Sequence, residues 1–302
     1  MDKKTANILA VTLILVVVLS FLASMFFKVH TGRLSAISPD SIFQSSNRIG
    51  VVDIKGVIAE PQPVIHELDE FSRNNNIRAI IVRINSPGGG VAAAQEIYDT
   101  LVRIRKKKIV VVSMGTVAAS GGYYIACGAD KIVAEPGTIT GSIGVIMEFF
   151  DVGDLLKWAK VKSEVVKSGK FKDIGSPFRA MKPDEKAYLQ SVIDDVLLQF
   201  KTVVSENRHI PMNKVTAIAD GRIFAGDQAL KLGLVDKLGG LHTAKELTAK
   251  LSGIKGEPKL VYPSPPRQDF YSLLANSIAN VVEERLFDNN LFKLSYILNM
   301  PK

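Results

Sequence analysis

Two short glycine-rich stretches place a serine near free backbone amides, an arrangement that suits nucleophilic chemistry. The first is Asn85-Ser-Pro-Gly-Gly-Gly90 and the second is Ala118-Ala-Ser-Gly-Gly122, and each follows a predicted strand and precedes a predicted helix. Glycines let a ligand backbone approach closely, and the N–H groups at a helix start stabilise a developing negative charge. Ser120 would hold its hydroxyl beside those donors. The alternative is that Ser120 is an ordinary helix N-cap.

Other kinds of catalytic site lack the residues that they need. The histidines are scattered, and the sequence has no H-E-x-x-H motif and no cysteine pair, so it predicts neither a metal site nor a cofactor. The histidines are His30, His66, His209 and His242. No Gly-Lys-Ser/Thr follows Gly90, which excludes a P-loop. Cys127 lies among small apolar residues and is predicted to be a buried packing residue.

The elements that must position these stretches alternate between strands and helices. Runs of β-branched residues predict strands at 48–58, 77–85 and 109–113, and apolar residues at helical spacing predict helices at 64–74 and 91–107. Further helices are expected at 183–207 and 241–251, and residues 221–236 suggest a turn, a cap at Asp227 and a short helix. This alternation predicts an α/β domain whose sheet is covered by helices on at least one face.

The N-terminal region predicts a membrane anchor. Ile8 to Phe27 is an uncharged run of 20 residues, and a helix of that length rises roughly 30 Å, enough to cross a bilayer. The run is longer than the apolar part of a signal peptide and no small-x-small site closes it, which favours an uncleaved anchor over a cleaved signal peptide. We therefore divide the chain into a tail and anchor (1–27), a linker (28–47), a folded domain (48–262) and a C-terminal linker with an amphipathic helix (263–302).

The positive charge of the chain does not by itself indicate nucleic acid binding. The formal net charge is +8, and the densest basic run lies between Arg103 and Lys108. That run follows an apolar-periodic stretch, so it is expected at a helix C-terminus, where cations complement the helix dipole. No aromatic residues interleave with it and no nucleic-acid motif accompanies it, so no nucleic-acid partner is predicted.

Five motifs, taken in order, resemble the signal peptide peptidase A family of serine proteases. The resemblance runs from about residue 48 to residue 245, and the ordered set is far more specific than any one motif. The motifs are Ile84-Asn-Ser-Pro-Gly-Gly-Gly90, Ala119-Ser-Gly-Gly-Tyr-Tyr124, Thr138-Ile-Thr-Gly-Ser-Ile-Gly-Val145, Lys167-Ser-Gly-Lys-Phe-Lys-Asp173 and Asp220-Gly-Arg-Ile-Phe-Ala-Gly226. The resemblance implies a Clp protease/crotonase-like fold, a layered β-β-α superhelix, in the short form that holds a single unit.

The resemblance also implies roles for individual residues. Ser120 matches the nucleophile, Lys172 the general base, and Ser142 a serine whose hydroxyl positions that lysine. The amides of Gly89 and Gly121 match the oxyanion hole, although a slip by one residue would replace Gly89 with Gly88. The result is a Ser–Lys dyad rather than a Ser–His–Asp triad.

The lysine motif leaves rival bases open. A lysine accepts a proton only when it is neutral, whereas a free lysine has a pKa of about 10.4, so burial or neighbouring cations must favour the neutral form. Lys167 and Lys170 flank Lys172 and could supply that repulsion, and either could also be the base itself. An ion pair between Asp173 and Lys172 would oppose it, so Asp173 is expected to point elsewhere.

The implied activity is that of a membrane-bound serine endopeptidase that degrades apolar, membrane-derived peptides such as cleaved signal peptides. One alternative is a crotonase-type acyl-CoA enzyme, which would need a carboxylate beside the glycine loops. Others are a related membrane protease of the Clp class that cuts stomatin-like partners, and a non-catalytic scaffold. The implied place is the inner membrane, with a single span, the N-terminus in the cytoplasm and the domain outside. Because the short members hold one unit, the resemblance also implies a homo-oligomeric ring of about eight subunits that share active sites.

Overall fold

The computed structural model describes residues 47–263, which form eight strands and eight helices. The strands are β1 (Arg48–Lys55), β2 (Ile77–Ser86), β3 (Ile109–Ala119), β4 (Lys131–Ala134), β5 (Ile139–Gly141), β6 (Ile223–Ala225), β7 (Lys237–Leu238) and β8 (Lys259–Val261). The helices are α1 (Gln62–Arg73), α2 (Val91–Arg105), α3 (Gly121–Ala126), α4 (Gly153–Trp158), α5 (Pro183–Arg208), α6 (Met212–Ile218), α7 (Gly226–Lys231) and α8 (Leu241–Ser252).

The strands form one sheet that branches at β3. The main path runs in the order β6-β5-β3-β2-β1-β8, and β4 leaves it by pairing with both β3 and β7. Every pairing is parallel except that of β5 with β6, which is antiparallel. The first half of β3 pairs with β4 and its last residues pair with β5. The carboxyl end of β3 therefore lies beside β5.

The central strands are buried on both faces, which explains their long apolar runs. In β1, Val52 and Ile54 belong to the larger core beneath α1, α2 and α3, whereas Ile49 and Val51 belong to a smaller core beneath α8. The same alternation continues through β2 and β3. The predicted α/β class, with helices covering the sheet, is confirmed.

Strand β3 is longer than the sequence predicted. The predicted strand stops at residue 113, because Gly115 interrupts the β-branched run and the residues from Thr116 to Tyr124 read as the opening of a short helix. The structure extends the strand to Ala119. Pairing with β2 on one side and β5 on the other keeps this stretch extended whatever its intrinsic preference. The extension carries the chain to the second glycine-rich loop.

Residues 146–178, here called the arm, project little into the core. They contain one short helix, α4, and neither core cluster has a member between Ile143 and Phe200. Many large apolar side chains of the arm are exposed, and Trp158 is 81% exposed. The others include Ile146, Phe150, Leu155, Val161, Val165, Val166 and Phe178. Contiguous exposed apolar surface is typical of interaction sites.

Of two further predictions for the domain, the place of the basic run is confirmed and the helix cap at Asp227 is wrong. The basic run does end α2, where Arg103 pairs with Asp69 and the ammonium of Lys108 donates to the Phe71 and Asn74 carbonyls. The predicted cap at Asp227 is wrong, because Ala225 is the N-cap residue of α7 and Asp227 lies inside the helix. The Ala225 amide donates to the side-chain oxygen of Gln228.

The predicted terminal segments are outside the described part of the chain. The anchor at 8–27 and nearly all of the C-terminal linker and helix fall beyond residues 47–263. Among the described residues, no helix combines the length and the hydropathy that a membrane crossing requires.

Candidate active site

Ser120 occupies a sharp turn between β3 and α3. Its backbone adopts φ 53° and ψ −119°, a strained conformation for a residue other than glycine. Two backbone bonds hold it there: the Ser120 amide donates to the Gly141 carbonyl at 2.9 Å, and the Tyr124 amide donates to the Ser120 carbonyl at 2.9 Å. A serine in a strained strand-to-helix turn presents its hydroxyl clear of the backbone, as a nucleophile requires.

The hydroxyl of Ser120 does not cap α3. Ser120 stands at the N-cap position, but its side chain makes no capping hydrogen bond. Within residues 47–263 the hydroxyl has no hydrogen-bond partner, although the side chain is only partly exposed. The interpretation of Ser120 as an ordinary N-cap is therefore wrong, and the strained turn needs another reason.

The first glycine loop packs directly against this turn. Gly88 has φ +109°, and a Cβ there would lie 2.8 Å from the Ser120 Cβ and 2.9 Å from the Gly121 amide nitrogen. The Gly88 amide itself donates to the buried Ser86 hydroxyl at 3.1 Å. Both the backbone conformation and the close approach exclude a side chain at this position.

Gly89 leaves its amide free because Ile58 bonds the residues on either side. The Ile58 amide donates to the Gly88 carbonyl at 2.9 Å, and the Gly90 amide donates to the Ile58 carbonyl at 2.8 Å. A Cβ on Gly89 would lie 2.2 Å from the Ile58 carbonyl oxygen. Within the described chain, neither the Gly89 nor the Gly121 amide donates to a protein acceptor, and the ideal Cβ position of Gly121 is 3.3 Å from the Gly89 nitrogen. This geometry favours Gly89 over Gly88 as an oxyanion donor.

Ser142 is brought beside Ser120 by strands β5 and β6. Gly141 pairs with Ala119 on one side and with Ile223 on the other, and the Ser142 amide donates to the Arg222 carbonyl at 2.9 Å. Ser142 has a positive φ of 49° and is half-buried. The motif that begins at Asp220 thus supports Ser142 through its backbone.

The two loops open into an apolar cleft of about 340 Å³, counting the space open to solvent. Gly89, Ser120 and Gly121 form one wall, and side chains from α2, α3 and α5 form the others. Those side chains include Val91, Ala94, Tyr124, Val196 and Phe200. The cleft thus offers apolar surface beside a serine and two amides.

Lys172 lies outside this cleft. It is exposed in the arm, is absent from the cleft lining, and makes no hydrogen bond to Ser120. The loop around it is fastened to the start of α5: the Phe171 ring stacks on Tyr188 with ring centroids 5.3 Å apart, and Arg179 joins Asp173 to Glu185. Val196 and Phe200 line the cleft 8 to 15 residues farther along α5, roughly 12–22 Å at the helical rise.

Among the three lysines of the motif, only Lys172 lacks an acidic partner in the described residues. Lys167 pairs with Asp173, and Lys170 pairs with Asp184. Asp173 thus points away from Lys172, as expected from the requirement for a neutral base. The same pairing removes the repulsion expected from Lys167 and Lys170, because carboxylates neutralise both.

The sequence predicts no catalytic role for Cys127 and the histidines, and the structure shows where Cys127 and three of the histidines lie. Cys127 is buried against Tyr123, and burial raises the pKa of its thiol to about 12. His66, His209 and His242 are exposed. Residues 47–263 contain no group of three or more His, Cys, Asp or Glu side chains that could hold a metal ion.

Comparison with known proteins decides the family. The model of peptidase family S49 matches residues 103–255, and that of the Clp protease family matches residues 49–137. The chain belongs to peptidase family S49. It is a serine peptidase, and its mixed α/β sheet agrees with a Clp protease-like domain.

Three relatives of this S49 peptidase are named as proteases. A protease of Synechocystis sp. is 43% identical over 215 residues, which cover 70% of this chain and 78% of the relative. A signal peptide peptidase SppA of Enterococcus faecium is 32% identical over 249 residues, covering 78% and 72%. Protease 4 of Haemophilus influenzae is 30% identical over 243 residues, but these cover 74% of this chain and 39% of that longer protein.

Proposed function

We propose that this S49 peptidase is a membrane-anchored endopeptidase that uses Ser120 and Lys172 as a dyad. The observation that carries the proposal is the strained turn at Ser120. Its hydroxyl lines an apolar cleft beside the amides of Gly89 and Gly121, and none of these three groups has a hydrogen-bond partner within residues 47–263. A structural serine does not need such a turn, whereas a nucleophile does. Lys172, which has no acidic partner in the described chain, supplies the base as its neutral amine.

The chemistry follows from these groups. The Ser120 oxygen attacks the carbonyl carbon of the scissile peptide bond while the neutral amine of Lys172 takes its proton. The carbonyl oxygen becomes an oxyanion that accepts hydrogen bonds from the Gly89 and Gly121 amides. The protonated lysine then gives its proton to the leaving amine, and an acyl-enzyme ester remains. Water, deprotonated by the lysine, hydrolyses the ester and restores both residues.

The dyad would form between two subunits. Lys172 is fastened near the start of α5, roughly 12–22 Å along that helix from the residues that line the Ser120 cleft, whereas a lysine side chain reaches only about 6 Å. The exposed apolar arm supports a second copy of the chain as the neighbour, because it offers a surface to bury beside that lysine. The contact would be heterologous, and a closed ring of about eight subunits satisfies every copy.

The substrate class is apolar peptide that derives from the membrane, such as cleaved signal peptides. The apolar walls of the cleft support this choice, and one relative has the name signal peptide peptidase. The apolar run at 8–27 would hold the enzyme at the inner membrane with its N-terminus in the cytoplasm and its domain outside. The cleft lining includes no carboxylate, which argues against a crotonase-type acyl-CoA enzyme.

The test uses the purified full-length chain in detergent with an isolated signal peptide as substrate. Wild type should cleave the peptide and react with a fluorophosphonate probe, and Ser120→Ala should do neither. Ser72→Ala, a change on α1 away from the cleft, is the control and should behave as wild type. Labelling and cleavage that persist in Ser120→Ala would refute the assignment.

A further inference from the structure

A cluster of charged residues behind Lys172 is not used by the dyad itself. The Arg179 guanidinium donates to both Glu185 oxygens at 2.6 and 2.8 Å. It also donates to the Asp173 carboxylate at 3.1 Å and to the Asp173 carbonyl at 3.2 Å. Asp173, Arg179 and Glu185, here called the clamp, connect the lysine loop to the first turn of α5.

The clamp contains a buried charge, which is costly unless it has partners. The Glu185 side chain is 1% exposed, and besides Arg179 it accepts the Lys182 amide at 2.9 Å. Hydrogen bonds from Arg179 hold the pKa of Glu185 at about 2, so the carboxylate is ionised wherever the enzyme works. Because Arg179 donates two parallel hydrogen bonds to the two oxygens of Glu185, it fixes the orientation of that carboxylate as well as its distance.

Both neighbours of Lys172 are held, while its own ammonium is left without a partner in the described chain. On one side the Phe171 ring stacks on Tyr188 of α5. On the other, the clamp takes both the carboxylate and the carbonyl of Asp173. Lys167 closes the turn by donating to the Lys170 carbonyl at 3.0 Å. The backbone at Lys172 is thus fixed from two directions.

We propose that Arg179 is a positioning residue: through Asp173 and Glu185 it aims Lys172 at the nucleophile of the adjoining subunit. The proposal rests on the shared dyad proposed above. None of the three clamp residues lines the Ser120 cleft, so the clamp contributes to the aim of Lys172 rather than to the walls that would bind the peptide. A displacement of about 1 Å at a reacting group costs up to about a hundredfold in rate.

The first test compares steady-state kinetics of Arg179→Ala with wild type. We expect kcat to fall roughly 10- to 100-fold while KM changes little, because the cleft is built from other residues. The oligomer mass should stay at the wild-type value, whereas the melting temperature should fall, because the buried Glu185 carboxylate loses its partner. Arg179→Lys should recover little, since an ammonium cannot fork between two carboxylates. Arg73→Ala, which removes an exposed ion pair on α1, is the matched control and should leave kcat unchanged.

A second test separates positioning from general damage. Inactive Ser120→Ala and Lys172→Ala chains are mixed, and Arg179→Ala is added to one or the other. On the Ser120→Ala chain, which supplies the lysine, it should lower the recovered activity roughly 10- to 100-fold; on the Lys172→Ala chain, which supplies the serine, it should leave that activity unchanged. Equal effects of the two placements would overturn the proposal, as would a wild-type kcat in Arg179→Ala.

The outcomes also separate this proposal from the shared dyad. If the mixture without any change at Arg179 shows no activity, the shared dyad is wrong, and the kinetics of Arg179→Ala still decide the role of the clamp within one chain. If Arg179→Ala fails to assemble, Asp173→Asn replaces it, because that change removes the charge and keeps the shape. Asp173→Asn with wild-type kcat would overturn the proposal.

Discussion

At the scale of single residues, neighbouring backbone atoms leave no room for a side chain in the first glycine loop. Gly89 packs so closely on the Ile58 backbone that a methyl group would lie 2.2 Å from a carbonyl oxygen. A backbone atom cannot move aside as a flexible side chain does, so the loop itself would shift. The oxyanion donor and the fit of the loop therefore depend on the same residue.

We expect Gly89→Ala to lower kcat roughly 100- to 1000-fold, the cost of losing one oxyanion donor, while fluorophosphonate labelling of Ser120 slows in parallel. Steady-state cleavage of a fluorogenic apolar peptide measures the effect. Gly137→Ala is the control, because a Cβ there meets nothing within 4 Å. Wild-type kcat in Gly89→Ala would show that this amide does not face the oxyanion.

Alanine substitution should have a different effect at each of the three lysines of the lysine motif, residues 167–173. Lys172→Ala should lower kcat by roughly 10²- to 10⁴-fold, the usual contribution of a general base. Lys170→Ala removes an exposed pair with Asp184 and should have little effect. Lys167→Ala should be intermediate, because Lys167 braces the loop through the Lys170 carbonyl and Asp173. Near-wild-type turnover in Lys172→Ala, together with loss in Lys170→Ala, would transfer the role of base to Lys170.

Sequence alone could predict the residues of the site better than their supports. Ser120, Ser142 and the glycines lie in short motifs whose residue types reflect backbone demands that are visible in the sequence. Ile58 and Ser86 act through a backbone bridge and a buried hydroxyl, and no residue type signals either. Arg179 and Glu185 lie beyond the lysine motif, and their pairing depends on a turn that periodicity does not reveal.

At the scale of elements, each strand end contributes one part of the site. The ends of β3 and β5 carry Ser120 and Ser142, and the loop after β2 carries Gly89. Parallel strands gather their carboxyl ends at one edge of a sheet, so the strand–loop–helix pattern accounts for the meeting of the two glycine loops. Ser142 is named by the family resemblance alone, because its short strand gives no signal in the sequence. The sequence pattern could not predict the position of Lys172. The arm contains no strand whose pairing would fix its register and no apolar stripe that would face the core.

The clamp gives the lysine loop a defined dependence on pH. The pKa values of Asp173 and Glu185 are lowered to about 2 from ordinary values of 3.8 and 4.5. A lowered carboxyl pKa stabilises the folded loop above the ordinary value, and this stabilisation is lost as the pH falls toward the folded value. Amide hydrogen exchange of residues 169–182 should therefore show constant protection from about pH 8 to 5 and a loss below about pH 4.

Glu185→Gln is the comparison for that experiment. It removes the titrating group, so the loop should be less protected at neutral pH and should change less as acid is added. A wild-type loop that lost protection between about pH 8 and 6 would contradict the assignment, because neither carboxylate gains a proton in that range.

At the scale of the whole molecule, the arm should be covered by a second copy. The chain has one tryptophan, Trp158, and it is 81% exposed in the single chain. Its fluorescence thus reports on the arm alone. We expect emission typical of a buried indole in the assembled enzyme and a shift to longer wavelength as dilution separates the subunits, in step with the loss of activity.

A relocated tryptophan serves as the control for this measurement. Trp158→Phe combined with Leu251→Trp moves the only indole out of the arm to an exposed position of α8. Its emission should not change on dilution. Solvent-exposed emission from Trp158 in confirmed oligomers would mean that the arm does not form the contact between subunits.

The shared dyad makes a quantitative prediction for mixed oligomers. Each site takes Ser120 from one subunit and Lys172 from the next, so an intact site forms wherever a Lys172→Ala chain donates its serine to the lysine of a Ser120→Ala neighbour. With equal amounts and random assembly, roughly a quarter of the interfaces in a closed heterologous ring meet this condition. Dissociated and reassembled mixtures should therefore regain about a quarter of wild-type activity, whereas either chain reassembled alone stays inactive. A chain that carries both changes, mixed with Lys172→Ala, is the control and should restore nothing, because no subunit then supplies a lysine. If confirmed mixed oligomers stay inactive, the dyad forms within one chain and the arm must fold back onto its own cleft.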